Sequence, residues 1–527
     1  MRDYLIIYVN GKSYEIGGAR AFQTLSNFLR YDIALTGTKV VCAEGDCGSC
    51  TVLIGQPDGE SITYRPVTSC IQFLYQLDGT HIITIEGLHY DNQLNPIQQA
   101  MVRCHGAQCG FCTPGFVVSM CSLFNERRNL DERSLRAGLV GNLCRCTGYE
   151  SILRAGLEVP RHELHRFDEL YPTSQLLPQL TRAAGDPVRV EVQTSTARDL
   201  SPSPGTAGEG GGEGSSSPTT NRTFFKPTTI AQAVQFKSLN PTATPVAGAT
   251  DIGVQVNKSI RDPQIILALT SIPELRTIAL DNNTLSIGAL ATLGEIERRT
   301  EELCPEFAKM LWRHGSPLIR NAGTLGGNIA NGSPIGDTMP ALMVMSAEVE
   351  LTGATGPRRV NMNDFYVGYR KSVLQPDEII TRVFMPLPKP GDIFRLYKLS
   401  KRHDLDISSF TAAFYMRLED DVISDLRIAY GGVGPMIYRL RKTEAALKGK
   451  PFTPAEVDTA AEIALTEISP ITDMRGSREY RLQLAANILK KFHAEVTGEH
   501  TYDRTTPPSR PTLNISRAGG NGNGKAV

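Results

Sequence analysis

The first segment, YLIIYVNGKSYEI (residues 4–16), is rich in branched and aromatic residues and is broken once, at Asn10-Gly11. That pair favours a hairpin turn, so the pattern predicts two strands. TLSNFLRY (24–31) places Leu25, Phe28 and Leu29 on one face of a short helix. A Gly- and Cys-rich loop over 42–50 leads into TVLI, a third strand. Strand, strand, helix, loop and strand make a small β-grasp-like unit over residues 1–88. Over 89–158 the apolar spacing becomes helical, with Phe116, Val117, Met120, Leu123 and Phe124 following Thr113-Pro114. Thr113 is expected to cap that helix, with Pro114 as its first residue. A second helix is expected near Asp131. A third is expected at Thr147-Gly-Tyr-Glu150, which has the spacing of a capping box. These elements predict a compact helical bundle.

Residues 159–221 are polar and predict a flexible linker, most clearly in SPSPGTAGEGGGEGSSSPTT (201–220), which has too little apolar surface to order itself. Mixed strands, helices and Gly-rich loops fill 222–390. An α+β unit over 391–496 ends in the helical pattern YRLQLAANILKKFHAEV, and 497–527 is expected to be a disordered tail. No internal repeat is present. The expected class is α+β and multidomain.

The 527 residues suit three to four domains. The net charge of zero gives no electrostatic signal for nucleic acid or an anionic membrane, and neither is expected as a partner. Nothing approaches the ~18 apolar residues that a membrane span needs. The N-terminal segment has no secretory pattern, so a cytoplasmic location with reduced thiols is expected. The cysteines alter the picture most. Of eleven, ten lie between Cys42 and Cys146, and the other is Cys304. Thiols used only for packing would scatter, so clustering points to metal.

Cys42-x4-Cys47-x2-Cys50, with Cys70 further on, has the plant-type ferredoxin spacing for a [2Fe-2S] cluster. Gly45 and Gly48 let the backbone curl around a small anionic cluster whose sulfurs accept from nearby amides. Four thiolates would also suit zinc. A second set joins Cys109-x2-Cys112 to Cys144-x-Cys146, each pair just ahead of an expected helix N-terminus, where free N–H groups favour negative charge. A thioredoxin-like redox pair at Cys109 and Cys112 is the alternative; it would leave Cys144 and Cys146 without a role. Cys104, Cys121 and Cys304 have no quartet to join and are expected to pack as small apolar side chains.

AQCGFCTPG followed by GNLCRCTGY resembles the second iron–sulfur domain of the xanthine oxidase family of molybdenum hydroxylases. VCAEGDCGSC resembles the first cluster loop of the same family. Two later loops, TPVAGATDIGV (244–254) and RNAGTLGGNIANGSPIGD (320–337), have amides able to approach a pyrophosphate. Neither is a G-x-G-x-x-G fingerprint after a strand, so a Rossmann site is unsupported. Behind two ferredoxin-like domains, they resemble the family's FAD-binding domain. AYGGVGPMIYRL (429–440) resembles its C-terminal flavoprotein domain.

The resemblance implies four domains: a β-grasp [2Fe-2S] ferredoxin domain, a helical-bundle [2Fe-2S] domain, an α+β FAD-binding domain and a C-terminal α+β flavoprotein domain. It implies that Val246, Ala247, Gly248, Ala249, Thr250, Asp251 and Ile252 form the first FAD loop. Thr324, Leu325, Gly326, Gly327 and Asn328 form the second, with Asp337, Ile380 and Lys398 as further flavin contacts. His314 stands where related chains carry a Phe that packs on the flavin. The alternative is a surface histidine after a helix. Gln108, beside Cys109, is a candidate contact to a partner's pterin or else a solvated polar residue.

The chain has no room after these domains for the several hundred residues of a molybdenum domain. It therefore resembles the small subunit of two-gene xanthine dehydrogenases, which need a large molybdopterin-binding partner and form a dimer of heterodimers. The implied role is electron transfer through two [2Fe-2S] clusters to FAD and on to NAD in hypoxanthine and xanthine oxidation, with no catalytic side chain in this chain. Two alternatives stand: the equivalent subunit acting on aldehydes, nicotinate or carbon monoxide, and a free-standing iron–sulfur flavoprotein.

Overall fold

The computed structural model describes residues 1–126, 130–194 and 220–498. The first sheet contains β1 (Tyr4–Val9), β2 (Lys12–Gly17), β3 (Thr51–Asp58), β4 (Ser61–Thr68) and β5 (His81–Ile83), in the order β2-β1-β5-β3-β4. Asn10 and Gly11 both have positive φ, 49° and 82°, as the two-residue turn between β1 and β2 requires. β1 pairs parallel with β5 in the middle of the sheet. Leu25, Phe28 and Leu29 are buried, although the helix Leu25–Asn27 passes at once into a single π turn, Phe28–Asp32. β4, a hairpin partner of β3, was not among the expected strands. Its apolar positions are too few to stand out.

His81, fully buried on β5, ties the first hairpin to the sheet. The Gly11 N–H donates to its Nε2 at 3.0 Å, so Nδ1 carries the proton and faces Tyr64 Oη at 2.8 Å. Burial lowers its pKa to about 4, whereas an unfolded histidine titrates near 6.5. Below pH 6.5 the unfolded chain therefore takes up a proton that the folded chain refuses. Stability present above pH 6.5 should fall by about 3 kcal/mol as pH drops towards 4 and then level off. Urea unfolding of wild type and His81→Gln across that range checks this: the variant should show a shallower acid-side decline.

Four helices make the next unit: Pro96–Arg103, Thr113–Glu126, Glu132–Gly138 and Glu150–Leu157. Asp131 caps the third, accepting from Ser134 N at 2.7 Å. Two expected caps are corrected. Thr113 is the first residue of its helix, and its hydroxyl is buried without a partner. Thr147 does not cap the last helix either. Tyr149 holds the cap position in a left-handed conformation with φ 71°, and the Thr147 hydroxyl turns towards Cys144 Sγ at 3.1 Å. At Thr147 the backbone bends around the Cys144 sulfur instead of forming an ordinary capping turn.

The flexible-linker expectation for 159–221 is corrected over 159–194. That stretch forms short helices at Arg161–Glu163 and Phe167–Leu170, a longer helix Thr173–Gly185, and β6 (Val188–Thr194). The longer helix has a narrow apolar stripe, Leu176, Leu180 and Ala183, and it covers Tyr8 on the first sheet. So sparse a stripe reads as polar in sequence. Residues 201–219 of the Gly/Ser-rich run lie outside the described residues, as does the expected tail from 499 onwards.

β6 pairs antiparallel with β7 (Thr220–Lys226), and with β8 (Thr244–Val246) and β9 (Ile265–Ala268) they form a sheet in the order β6-β7-β9-β8. A second sheet contains β10 (Ile278–Asp281), β11 (Thr284–Gly288), β12 (Glu348–Gly353), β13 (Gly356–Asn361) and β16 (Ile379–Pro386), in the order β10-β11-β16-β12-β13. A small hairpin, β14 (Tyr366–Gly368) with β15 (Lys371–Ser372), lies between them in sequence. The last unit packs a sheet of β17 (Ile393–Leu399), β18 (Phe410–Glu419), β19 (Val422–Gly431) and β20 (Tyr438–Arg439) on the helices Pro454–Thr466 and Arg478–Thr497.

The units share cores. One hydrophobic cluster runs from Leu5, Phe22 and Leu74 of the first domain into Phe224, Val246 and Ile266 of the third. A buried ionic hub crosses the same boundary. Asp78 receives Lys226 Nζ at 2.5 Å, both Arg2 terminal nitrogens at 3.1 and 2.9 Å, and Ile6 N at 2.8 Å. No helix among the described residues is long and apolar enough to cross a membrane.

Candidate functional site

The first cysteine loop has no regular structure. Positive φ at Ala43, Gly45 and Gly48 turns it back on itself. Cys42 lies beside Cys47 and Cys70, and Cys50 beside Cys70. Glu44 N donates to Cys42 Sγ at 3.4 Å. Cys50 and Cys70 are buried, and the other two are half-buried.

In the second set, Cys109 and Cys146 sulfurs are 3.5 Å apart and exposed, while Cys112 and Cys144 pair beneath them. Cys144 Sγ faces Thr147 N at 3.5 Å. Each pair takes one cysteine from each sequence motif. In the second set the sulfurs group two and two, and the Glu44 and Thr147 amides are aimed at Cys42 and Cys144, as suits a centre in which two irons each take two thiolates. The residues fit such a cluster. Gln108 is exposed beside Cys109, and Phe111, Leu143 and Tyr149 are exposed apolar residues on the same rim. Cys104, Cys121 and Cys304 are buried outside both sets, Cys104 Sγ donating to Glu158 at 3.1 Å.

The third domain holds a cleft of about 470 Å³. Val246, Ala247, Gly248, Ala249, Thr250, Asp251 and Ile252 line one side of it. Thr324, Gly326, Gly327 and Asn328 line another, with Ile380 nearby. Thr324 caps the helix Leu325–Asn331 by accepting from Gly327 N at 3.1 Å, which leaves that helix start facing the cleft. The Leu325 side chain instead enters the core. Gly248 is demanded by packing, since a Cβ there would lie 1.7 Å from the Ala322 carbonyl oxygen. The two loops thus touch backbone to backbone, and the cleft is a cradle of amides of the size and chemistry a dinucleotide pyrophosphate needs.

Asp337 and Lys398 do not line the cleft. They form a buried ion pair at 2.7 Å, and Ser408 Oγ donates to the other Asp337 oxygen at 2.5 Å. Burial would raise the Asp337 pKa. The Lys398 charge and His314 outweigh it and hold the carboxyl well below the usual range. His314 does line the cleft and is no surface residue, its side chain being 20% exposed. Its Nδ1 lies 3.1 Å from Asp337 but off the line of a hydrogen bond.

Several residues at the site carry no sequence signal. Gln72 and Gln76 of the first domain, both buried, donate to the Gly248 and Ala247 carbonyls at 3.0 and 2.6 Å. Asn257 donates to the Ala43 and Cys70 carbonyls, both at 2.9 Å. The first cysteine loop and the first cleft loop are therefore held against each other. Gln255, Arg261, Arg370 and Glu378 also line the cleft. Polar residues with tertiary partners of this kind look like any surface residue in sequence.

Residues 84–157 match a family described as a [2Fe-2S] binding domain. Residues 219–388 match the FAD binding domain in molybdopterin dehydrogenase, and 395–496 the CO dehydrogenase flavoprotein C-terminal domain. The chain is an iron–sulfur and FAD protein of the molybdenum hydroxylase family. Within that family it is 31% identical to xanthine dehydrogenase 1 of Arabidopsis thaliana over 98% of this chain and 42% of the relative. It is 29% identical to aldehyde oxidase 2 of Mus musculus over 96% of this chain and 40% of the relative. The chain spans about two fifths of the length of these curated relatives. Among solved structures, a carbon monoxide dehydrogenase from Hydrogenophaga pseudoflava aligns with a TM-score of 0.49 and 28% identity, covering 51% of this chain and 94% of that one.

Proposed function

We propose that the chain is the electron-transfer subunit of a xanthine dehydrogenase. Cys42, Cys47, Cys50 and Cys70 hold one [2Fe-2S] cluster, and Cys109, Cys112, Cys144 and Cys146 hold the other. The loops at 246–252 and 324–328 hold FAD, with His314 and Ile380 at its edge and the Asp337–Lys398 pair beneath. When bound, the clusters carry single electrons and the flavin joins them into the two-electron transfer that NAD takes up. The protein's own contribution is placement and shielding. Gln72, Gln76 and Asn257 fix the first cysteine loop against the flavin cleft, and the 109–146 sulfurs stay open to a partner.

The observation that carries this reading is the order in space. A cysteine quartet with two exposed members, a second quartet with none exposed and a dinucleotide cleft follow one another with direct contacts between neighbours. The exposed rim of Gln108, Phe111 and Leu143 suits docking of a large molybdopterin-binding subunit, in a dimer of heterodimers in the cytoplasm. Xanthine and hypoxanthine are the favoured substrates, supported by alignment of 98% of this chain with a xanthine dehydrogenase at 31% identity. Aldehydes are the second reading, supported by nearly equal identity to an aldehyde oxidase.

The test is purification of the tagged chain from its native host. A large molybdenum-bearing chain at equal stoichiometry and NADH formation from xanthine are expected. Brisk oxidation of an aldehyde without xanthine turnover would move the assignment to the second reading. Zinc in place of iron and sulfide would refute the relay.

A further inference from the structure

The two cysteine quartets meet at one seam, and its atoms form a short path. Leu143 N donates to the Cys47 carbonyl at 2.9 Å. Leu143 is bonded to Cys144, so a single hydrogen bond interrupts the covalent route from a ligand of one quartet to a ligand of the other. The backbones around it are in contact. A Cβ on Gly48 would lie 2.2 Å from the Gly141 oxygen, and one on Gly115 would lie 2.1 Å from the Gly48 oxygen.

Asn142 closes the seam. It is 3% exposed, and its Nδ2 donates to the Gly48 carbonyl at 3.1 Å and to Thr51 Oγ1 at 3.2 Å. Thr51 Oγ1 in turn donates to the same Gly48 carbonyl at 2.6 Å. The Asn142 Oδ1 is buried with no partner. An unsatisfied buried acceptor is costly, and a residue kept at that cost asks for a role its other atoms explain. Here the Nδ2 bonds anchor the residue next to Leu143 to the residue next to Cys47.

Resting on the iron–sulfur reading above, we propose that the Cys47 C=O···H–N Leu143 bond is the electron conduit between the two cluster sites, and that Asn142 is the positioning residue that keeps it closed. The step is the passage of one electron from a reduced cluster in the 109/112/144/146 quartet to an oxidised one in the 42/47/50/70 quartet. The first is oxidised by one electron and the second reduced by one. No proton moves and no bond forms or breaks. A hydrogen-bonded peptide contact couples two centres better than an open gap, because electron tunnelling decays faster through space than through bonds.

The test uses the full chain with Asn142→Leu, which removes both donor bonds at nearly constant volume. Iron, sulfide and flavin content should match wild type, and each cluster's EPR g-values should be unchanged. Hydrogen exchange at the peptide carrying Leu143 should accelerate. Freeze-quench EPR after substoichiometric dithionite should lose the fast phase of electron redistribution between the two clusters. A fast phase of wild-type size with faster exchange at Leu143 would overturn the conduit. Unchanged exchange at Leu143 would overturn the positioning role. Should Asn142→Leu lose iron, Thr51→Val, which takes away only the shared hydroxyl, is judged by the same two readouts, with partial slowing expected and wild-type behaviour in both overturning the proposal. Absence of clusters from the wild-type chain would refute the underlying reading, whereas intact clusters with unslowed redistribution refute the conduit alone.

Discussion

Asp78→Asn is expected to destabilise the protein by about 3–5 kcal/mol, the range for removing one partner of a buried ionic group. Asp78 is the buried acid at a hub holding Lys226, which is fully buried, and Arg2, which also meets the more exposed Asp186 at 3.5 Å. Burial already pulls the Lys226 ammonium below its ordinary pKa despite the neighbouring carboxylate. Without that carboxylate, Lys226 loses its ion-pair partner in a site that water does not reach, and Arg2 keeps only the half-exposed Asp186. The amide also makes a weaker acceptor for Ile6 N, now at 2.8 Å. Because Lys226 ends β7 of the flavin-side sheet and Asp78 precedes β5 of the first domain, the loss should loosen the joint between them. Adding Lys226→Met should recover part of the loss, since a buried pair replaced by apolar groups is often neutral. Urea unfolding of the two variants beside wild type checks both statements: a double mutant no more stable than Asp78→Asn would count against the hub as the source of the cost.

Gly248→Ala is expected to strip the flavin. The added methyl would press on the Ala322 carbonyl, a backbone atom that cannot swing aside. Overpacking of this kind costs about 1–3 kcal/mol, which corresponds to about 5- to 150-fold weaker FAD binding if the loops part to relieve it. The cysteine quartets lie on other elements, so iron content should hold. The measurement is the flavin-to-iron ratio of the purified variant and its FAD titration by fluorescence. A wild-type ratio would show that the loops do not need this contact.

The chemistry was more legible than the scaffold around it. Cys42, Cys47 and Cys50 lie within nine residues, a spacing that is local and therefore readable, so the sequence alone pointed to metal. The same holds for the small-residue loops at 246–252 and 324–328. Gln72, Gln76 and Asn257 were illegible because each is an ordinary polar residue whose partner lies more than 170 positions away. Thr147 misled because a helix cap and a turn around sulfur use the same residue types. Residues 159–194 read as linker because their helix buries one thin stripe against a sheet that only the folded chain provides. Asp337 and Lys398 matched the resemblance by position, yet the fold pairs them beneath the cleft surface, where only tertiary structure could place them.

The ladder between β6 and β7 runs in register from Val188↔Lys226 to Thr194↔Thr220. Whatever path residues 195–219 take, they leave and re-enter the protein at adjacent rungs. A protease cut or an insertion there would leave the iron–sulfur half and the flavin half clasped by seven paired rungs and the hub below them. Evolution, or an engineer, can therefore split or lengthen the polypeptide at this point and still keep the two halves in working alignment.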